Sequence, residues 1–412
     1  MIVRNDGELW IWTPKEENAG GSVAYKLDDH VVAARQILCG IGGYEADGET
    51  VISEEKVFLG VLYEDSRFAV WEMDDAGHAL SDEAPLICRD AARFQAAAGG
   101  FSLVRTDGSV WDVRFSRLDE NYDNEGHRKP IVKWETAFTK DKRWLYRRGP
   151  VTAYQASQTE EPQYYILTEE GSLWGKGENG LGQLGIGRKG RSNHFGEHGF
   201  TDWAKVTDHV TCVFTMQDKV DYFIRTLAVK TDDSLWGWGY IQPNAKMENY
   251  QISLRPVKIM EDVRSASVGR DHDLILRTDG MLLARGSNQF LQLGMGPEEQ
   301  TFSEEPMEVM RGVRSICAGG WSSYAIKEDG SLWTWGRNDR GQLGHGTAGD
   351  PELPMKILDH AASVTMRDNY AAAVLEDGSV WIWGDVRMDV NASNHTDQIY
   401  TEPICIMEGN TK

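Results

Sequence analysis

The apolar positions of this chain fall into short alternating runs separated by turn residues, a pattern typical of β-strands. One such run reads Leu332-Trp333-Thr334-Trp335-Gly336, and it follows the turn phrase Glu328-Asp329-Gly330-Ser331. Glycine accepts the positive φ of a tight hairpin turn, and alternation places Trp333 and Trp335 on one strand face. The pattern predicts an all-β protein built from hairpins.

The turn phrase returns eight times, about fifty residues apart, which predicts one supersecondary unit copied along the whole chain. Its turn positions are Gly7, Ser66, Gly108, Gly171, Asp233, Gly280, Gly330 and Gly378. Each period has room for four strands, and four-stranded antiparallel units arranged radially make a β-propeller. Residues 402–408 match the outer strand that precedes other repeats. The small-residue strand that should come next, at the start of the chain, is missing before Met1. We therefore expect seven or eight blades, one of them incomplete at the chain ends.

The longest form of the repeat, residues 329–346, resembles the repeat of the family named after the regulator of chromosome condensation. The phrase returns at 171–185 and more weakly at 286–294. The resemblance implies a single propeller domain over residues 1–412, and members of the family are typically seven-bladed. The activity of the founding member, guanine-nucleotide exchange on a small GTPase, is one alternative for this chain, although no segment matches the family's wedge loop.

Charge narrows the classes of partner. The 412 residues include 64 acidic and 43 basic side chains, for a net charge of −21. Such a charge repels polyphosphate at long range, which disfavours a general nucleic-acid binder.

The chain ends and the cysteines bear on the compartment. The N-terminus enters a repeat at once, without the pattern of a secretory signal, and no run of 18 apolar residues occurs. We therefore expect a cytoplasmic protein with no membrane span. The five cysteines, Cys39, Cys88, Cys212, Cys317 and Cys405, are odd in number and widely spaced. They are expected to be buried thiols in a reducing compartment.

Three inserted loops are expected, near 42–56, 114–149 and 188–203, because loops on a rigid scaffold often carry binding. The second is locally basic and contains interleaved aromatic residues, a composition typical of interface hot spots. Its candidate contacts are Trp134, Arg143, Trp144, Tyr146, Arg147 and Arg148. The alternative is that these aromatics pack against an outer blade and the charges are solvated.

The turns between the first two strands of each unit supply a second set of candidates. The family often has a Gly-Gly-x-His-Ser phrase there, and only His272 retains the histidine in this chain. The candidates are Phe101, Asp271, His272, Trp321 and Tyr370. Phe101, Trp321 and Tyr370 are predicted to form an aromatic ring on one face, where rigid rings suit protein contacts. The alternative is that each ring folds inward and fills the channel.

Catalysis has no positive signal in the sequence. No phosphate-binding glycine loop, dinucleotide fingerprint, nucleophile phrase or Cys-x-x-Cys zinc pattern occurs. His194 and His198 lie four apart in a glycine-rich stretch without an evident third ligand, so neither metal nor cofactor is expected. The prediction is a non-catalytic propeller that binds another protein. Exchange on a small GTPase and glycan binding are the alternatives, and the partner's identity and the oligomeric state stay open.

Overall fold

The computed structural model describes residues 2–3, 8–14, 22–44, 51–73, 79–80, 86–97, 100–107, 110–116, 131–135, 151–156, 163–180, 182–190, 199–215, 225–240, 252–296, 301–367, 369–385 and 399–408. The chain divides into two compact units, unit 1 (Met1–Ala156) and unit 2 (Ser157–Lys412).

Unit 1 contains twelve strands among its described residues. They are β1 (Ile2–Val3), β2 (Leu9–Pro14), β3 (Ser22–Asp28), β4 (Val31–Tyr44), β5 (Val51–Tyr63), β6 (Phe68–Met73), β7 (Leu86–Cys88), β8 (Ala91–Ala97), β9 (Gly100–Arg105), β10 (Val110–Ser116), β11 (Ile131–Glu135) and β12 (Val151–Ala156). Strands β1–β3 form a three-stranded sheet, and β4–β7 and β8–β11 form four-stranded sheets.

Unit 2 repeats the four-stranded pattern more regularly. Its strands are β13 (Gln163–Thr168), β14 (Leu173–Glu178), β15 (Phe200–Thr207), β16 (Val210–Thr215), β17 (Arg225–Lys230), β18 (Leu235–Tyr240), β19 (Ile252–Met260), β20 (Val263–Val268), β21 (His272–Arg277), β22 (Leu282–Ser287), β23 (Phe302–Met310), β24 (Val313–Gly319), β25 (Ser322–Lys327), β26 (Leu332–Asn338), β27 (Gly349–Leu358), β28 (Ala361–Arg367), β29 (Tyr370–Leu375), β30 (Val380–Asp385) and β31 (Ile399–Met407). Strands β13–β15 pair in order, and β16–β19, β20–β23, β24–β27 and β28–β31 form four-stranded sheets.

The prediction of an all-β chain with four-stranded antiparallel blades is confirmed, because the strands of each sheet pair in chain order. The predicted count of seven or eight is corrected. Among the described residues, six four-stranded sheets lie wholly inside one unit or the other. A turn phrase marks only the hairpin between two strands, so counting phrases does not count complete four-stranded sheets. The phrase also occurs where unit 1 or unit 2 contains only three strands of a sheet. Gly7 and Gly171 mark such sheets, and the first agrees with the incomplete blade expected at the chain ends.

A hydrogen-bond relay explains the composition of the turn phrase. The carboxylate of Asp329 accepts hydrogen bonds from the backbone N–H of Ser331 (2.9 Å) and from its hydroxyl (2.6 Å). The Ser331 oxygen in turn accepts the indole N–H of Trp333 at 3.0 Å. Acid, serine and tryptophan two residues apart therefore satisfy one another's polar groups across one hairpin. The same indole-to-serine bond occurs between Trp381 and Ser379 at 3.0 Å.

Positive φ values identify the turn position even where glycine is missing. The φ of Gly330 is +81°, and the degenerate copies Asp233 and Ser66 have +58° and +65°. The carbonyl of the turn residue then accepts an N–H from the first strand of the next sheet. Ala361 donates to Gly330 at 2.8 Å, and Val313 donates to Gly280 at 3.0 Å. One turn therefore closes its own hairpin and holds the neighbouring sheet.

In the sheets β16–β19, β24–β27 and β28–β31, the fully buried tryptophan of the third strand is the second one, not the tryptophan of the turn phrase. Trp238, Trp335 and Trp383 have no exposed surface. Trp335 donates its indole N–H to the carbonyl of Gln292 at 3.0 Å, and Trp383 donates to Gln342 at 2.8 Å. Each acceptor lies in the last connection of the preceding sheet. The core of one sheet therefore holds a surface loop of the sheet before it.

All three predicted insertions are partly strand. Strands β4 and β5 pair as one long hairpin in which Gly42 opposes Ser53 and Tyr44 opposes Val51, so most of 42–56 is paired backbone. Strand β11 within 114–149 pairs with β10, and 200–203 begin β15. Extended pairing satisfies backbone groups that a loop would leave to water. Residues 45–50, 117–130, 136–150 and 191–198 lie outside the described residues.

The expectation of buried cysteines is wrong for two of them. Cys212 and Cys405 are exposed, while Cys88 and Cys317 are half-buried. An apolar neighbourhood in sequence does not fix which face of a strand a side chain occupies. None of the described residues forms a helix of the length and hydropathy needed to cross a membrane.

Replacing Gly330 with alanine tests the turn geometry. The added Cβ would lie 3.2 Å from the Cα of His360, at a φ of +81°. We expect Gly330→Ala to lower the free energy of unfolding by about 1–2 kcal/mol, measured by urea denaturation. Gly378→Ala is the matched control, because its φ of +83° is equally strained but nothing lies within 4 Å of its Cβ. Equal losses for the two variants would contradict a steric role of His360.

Candidate functional site

The connections of unit 2 lie at two ends of its sheets. In a sheet whose strands pair in chain order, the first and third connections share one end, and the second lies at the other. We call the former the loop end. The latter, which also carries the connections between consecutive sheets, we call the turn end.

The turn end is strongly acidic. Its connections contain thirteen carboxylates and one arginine, Arg311. The carboxylates are Glu169, Glu170, Asp208, Asp232, Asp233, Glu261, Asp262, Asp279, Glu328, Asp329, Asp359, Glu376 and Asp377. The described connections of the loop end contain Asp271 and Asp339 against Arg188, Lys189, Arg270 and Arg340. Among the described connections, the turn end is therefore strongly acidic, whereas the loop end has a small excess of basic side chains.

Trp321 is the centre of the loop end. It lies with Gly320 in the turn between β24 and β25 and is half-buried. The guanidinium carbon of Arg270 lies 4.3 Å from the centre of the indole, and that of Arg337 lies 4.6 Å from it. The indole N–H donates to the Asp271 carboxylate at 2.7 Å. Two cation–π contacts and one charge-assisted hydrogen bond therefore fix the ring.

The cluster continues along the next connection. Arg337 donates to the carboxylate of Asp339 at 2.6 Å. Arg340 lies 4.0 Å from Asp339 and 3.8 Å from Asp385, beyond hydrogen-bond distance, and its side chain is 44% exposed. Tyr370, the first residue of β29, is 37% exposed. We call Arg270, Asp271, Trp321, Arg337, Arg340 and Tyr370 the Trp321 patch.

A buried arginine supports the turn that carries Arg270 and Asp271. The guanidinium of Arg225 donates to the carbonyl oxygens of Gly269 (2.7 Å), Arg270 (2.9 Å) and His272 (2.7 Å). It also donates to the carboxylate of Asp273 at 2.7 Å. One side chain from the preceding sheet thus binds three carbonyl oxygens in and beside this turn.

Asp273 is the anchor of that arginine. Its carboxylate accepts bonds from Arg225 and, at 3.0 Å, from Arg285, and it has no exposed surface. Burial alone would raise the pKa of Asp273, but the two guanidinium groups outweigh it and hold the pKa below its ordinary value. The carboxylate is therefore ionised, and the ion triad is maintained inside the sheet interface.

Arg225→Met tests this support. The change removes one donor from each of three carbonyls and one partner from a buried carboxylate, so we expect a loss of about 3–5 kcal/mol in the free energy of unfolding. Urea denaturation measures it. Arg285→Met is the comparison, since it removes a partner of Asp273 but none of the described bonds to the turn. A smaller loss for Arg225→Met than for Arg285→Met would contradict the role of the carbonyl bonds.

A buried histidine fixes the connection that carries Arg340. His345 Nδ1 lies 2.8 Å from the Glu352 carboxylate, and Nε2 lies 2.8 Å from the hydroxyl oxygen of Thr334. The Thr334 hydroxyl donates its only proton to the carbonyl of Leu343 at 2.7 Å. Both ring nitrogens of His345 therefore have polar partners, which fixes the orientation of the imidazole ring. Burial favours a raised pKa for Glu352, but its bond and charge interaction with His345 outweigh burial and lower that pKa.

Glu352→Gln tests this pair through pH. A depressed pKa in the fold means that the carboxylate stabilises the protein above the unfolded pKa, and that this stability is lost as pH falls. We expect the variant to be less stable than the parent by about 1–2 kcal/mol at pH 7. The difference should shrink as pH falls below the ordinary glutamate value of 4.5. Urea titrations at pH 7, 5 and 4 measure it, with the exposed Glu305→Gln as control. A difference independent of pH would contradict the ionic pairing.

Phe101 is not an exposed contact, so the predicted aromatic ring is wrong at this position. Phe101 is 1% exposed in unit 1 and packs against Phe68, with ring centres 5.7 Å apart, and against Phe94 at 5.9 Å. The register explains the error. Ala97 pairs with Gly100, so Phe101 is already the second residue of its strand, whereas Trp321 lies in the turn.

His272 is also core rather than surface. It has no exposed surface, and burial lowers its pKa to about 3, to which the charge of Arg225 contributes. Its Nε2–H donates to the hydroxyl oxygen of Ser323 at 2.8 Å, and that hydroxyl donates to the carbonyl of Gln292 at 2.8 Å. A neutral histidine in this buried chain of hydrogen bonds links two sheets.

The remaining predicted residues divide into two groups. Asp271, Trp321 and Tyr370 lie at the loop end of unit 2, where the structure joins Asp271 directly to Trp321. Trp134 belongs to β11, and Arg143, Trp144, Tyr146, Arg147 and Arg148 lie outside the described residues, as do His194 and His198. Within the described part of the chain, no group of three or more potential metal ligands occurs.

Sequence reasoning missed the three arginines of the patch. Arg337 and Arg340 are part of the repeat phrase, and Arg270 occupies an ordinary turn position, so none of them stood out by composition. The available signal was their position at the same end as Trp321, with Arg270 and Arg340 in connections and Arg337 next to the last residue of β26. Arg225 gave no signal, because its partners lie more than forty residues further along the chain.

Comparison with known proteins finds others with a similar repeat and a similar architecture. Two models of the regulator of chromosome condensation (RCC1) repeat match residues 329–367 and 313–342. Yeast RCC1 (Prp20), from a structure with Kap60, is 20% identical with a TM-score of 0.55, covering 79% of this chain and 78% of that chain. The chain has an RCC1-like β-propeller fold.

Two further solved structures have the same fold. Human WBSCR16 is 15% identical with a TM-score of 0.59, covering 91% of this chain and 94% of that chain. Prp20p from Saccharomyces cerevisiae, in a second structure, is 17% identical with a TM-score of 0.52, covering 80% of this chain and 89% of that chain. No curated protein sequence matches the chain.

Proposed function

We propose that this RCC1-like propeller is a non-catalytic binding protein and that its partner is another protein, recognised through the loop end of unit 2. The observation that carries the proposal is the Trp321 patch. Tryptophan, arginine and tyrosine are the residues most enriched among interface hot spots. Here they occur together at one end of the sheets, and Tyr370 and Arg340 are 37% and 44% exposed.

The geometry of the patch favours binding over internal structure. The Trp321 ring is fixed by Arg270, Arg337 and Asp271 before any partner arrives. A pre-ordered contact loses little conformational entropy on association, so more of its contact energy appears as affinity.

Fold relatives are consistent with a protein partner by analogy alone. Yeast RCC1 (Prp20) is bound to Kap60 in one of these structures, and the other concerns the binding of Prp20p to Gsp1p and histones. At 17–20% identity this analogy supports the class of function and not the identity of a partner.

Site-specific photo-crosslinking tests the proposal. We expect benzoylphenylalanine at position 370 to give discrete protein adducts in a lysate of the native organism, because Tyr370 is exposed at the loop end. The same probe at position 359, in the acidic turn end, is the matched control. Tyr370→Ala and Arg340→Gln should weaken capture of the crosslinked partner at least about fivefold while leaving the melting temperature unchanged. Equal adducts from both positions, or none from position 370, would contradict the proposal.

The two alternatives differ in their readout. Exchange on a small GTPase predicts faster release of bound nucleotide from a candidate GTPase when this protein is added. Glycan binding predicts signals on a glycan array that disappear with Trp321→Leu. A partner captured through Tyr370 that is neither a GTPase nor a glycoprotein would remove both.

A further inference from the structure

We infer that the Trp321 patch recognises an acidic polypeptide segment, one whose glutamate or aspartate carboxylates pair with its arginines. The inference rests on the proposed function and adds the chemistry of the partner. It starts from the way in which the charges of the patch are already paired.

The carboxylates of the patch are occupied by groups of the protein itself. Asp271 accepts the indole N–H of Trp321 at 2.7 Å, and Asp339 accepts bonds from Arg337 at 2.6 Å and from the Gln342 amide at 3.2 Å. These acids therefore orient the aromatic ring and one arginine. They offer little to a basic partner, which would have to displace existing bonds.

Arg337 and Arg340 keep donor capacity. A guanidinium has five N–H groups in the plane of its fork, and a cation–π contact through its face leaves them available. The guanidinium carbon of Arg337 lies 4.6 Å from the centre of the Trp321 ring, and its bond to Asp339 uses only part of the fork. Arg340 is 44% exposed, and both of its nearest carboxylates are beyond hydrogen-bond distance within the described part of the chain. A planar carboxylate is the ligand that such a fork pairs with in bidentate fashion.

The net charge of −21 does not cancel this attraction. The strands that separate the two ends, such as β21 and β25, have six residues each and are therefore about 20 Å long. Charges are screened over about 8 Å at physiological ionic strength. The acidic turn end thus lies more than two screening lengths from the patch and contributes little to the field there. A polyphosphate chain is longer and more highly charged, so it meets more of the acidic surface than a short peptide does.

Aromatic surface beside the arginines completes the chemistry. Tyr370 is 37% exposed, and Phe290 packs on Trp321 with ring centres 5.6 Å apart. A segment with acidic residues around one or two apolar side chains would satisfy both parts of the patch. Electrostatic pairing would set its specificity and association rate, and the rings would supply contact area.

Binding of defined peptides to the full-length protein tests the inference. The probe is a fluorescent fifteen-residue peptide of glutamate and glycine with one central tyrosine, measured by anisotropy at 50 and 300 mM NaCl. The matched peptide has glutamine in place of every glutamate. We expect the glutamate peptide to bind at least about tenfold more tightly than the glutamine peptide at 50 mM salt, and to weaken at 300 mM.

Variants localise the site. Arg340→Gln should weaken the glutamate peptide about tenfold, and Arg340→Lys should weaken it less, because the charge remains but the fork is lost. Arg311→Gln, at the exposed turn end, is the control and should leave the affinity unchanged. Circular dichroism melting confirms that each variant is folded.

Three outcomes would overturn the inference: no binding of the glutamate peptide, equal losses for Arg340→Gln and Arg311→Gln, or tighter binding of an oligouridine of the same length. The last would assign the patch to RNA. The peptide also separates this inference from the proposed function. Adducts at position 370 that the glutamate peptide fails to compete would retain the protein partner and reject its acidic character.

Discussion

The architecture depends on the left-handed residue at the tip of each hairpin. Its positive φ closes the turn between the second and third strands and directs its own carbonyl towards the next sheet, where a first-strand N–H binds it. The bond from Ala361 to Gly330 shows both roles in one residue. Without this bond, each hairpin would lose one of the contacts that hold it to its neighbour, and a repeat unit cannot bury its faces alone.

Polar bonds across sheet interfaces determine where the Trp321 patch lies. Arg225 belongs to one sheet, yet it holds the turn of the next, and that turn places Asp271 and Arg270 against Trp321 of a third. The patch is thus assembled from consecutive units. Its precision comes from buried charge pairs, which are costly to break and specific in geometry. Hydrophobic packing supplies stability around them without selecting this arrangement.

Local chemistry could be predicted from the sequence where neighbours in the chain create it. The turn positions were found because acid, glycine and tryptophan stand close together, and even Ser66 and Asp233 proved to have the expected φ. Phe101 and the blade count failed for related reasons. A glycine pair does not fix the register by itself, and a hairpin phrase does not reveal how many strands join it. The roles of Arg225 and Arg340 depend on partners brought together only by folding.

The tryptophan that reaches back to the previous sheet limits how such a chain can change. Trp335 donates to the carbonyl of Gln292, and Trp383 donates to that of Gln342. The last connection of one sheet is therefore held by a tryptophan of the next sheet. A deletion or insertion that begins inside one repeat would leave one connection without the indole N–H that binds it, and one indole without its carbonyl acceptor. Duplication or loss of a whole period creates the same junction again. Evolution of this scaffold is therefore expected to proceed in complete repeats, with new specificity arising from point changes in the connections.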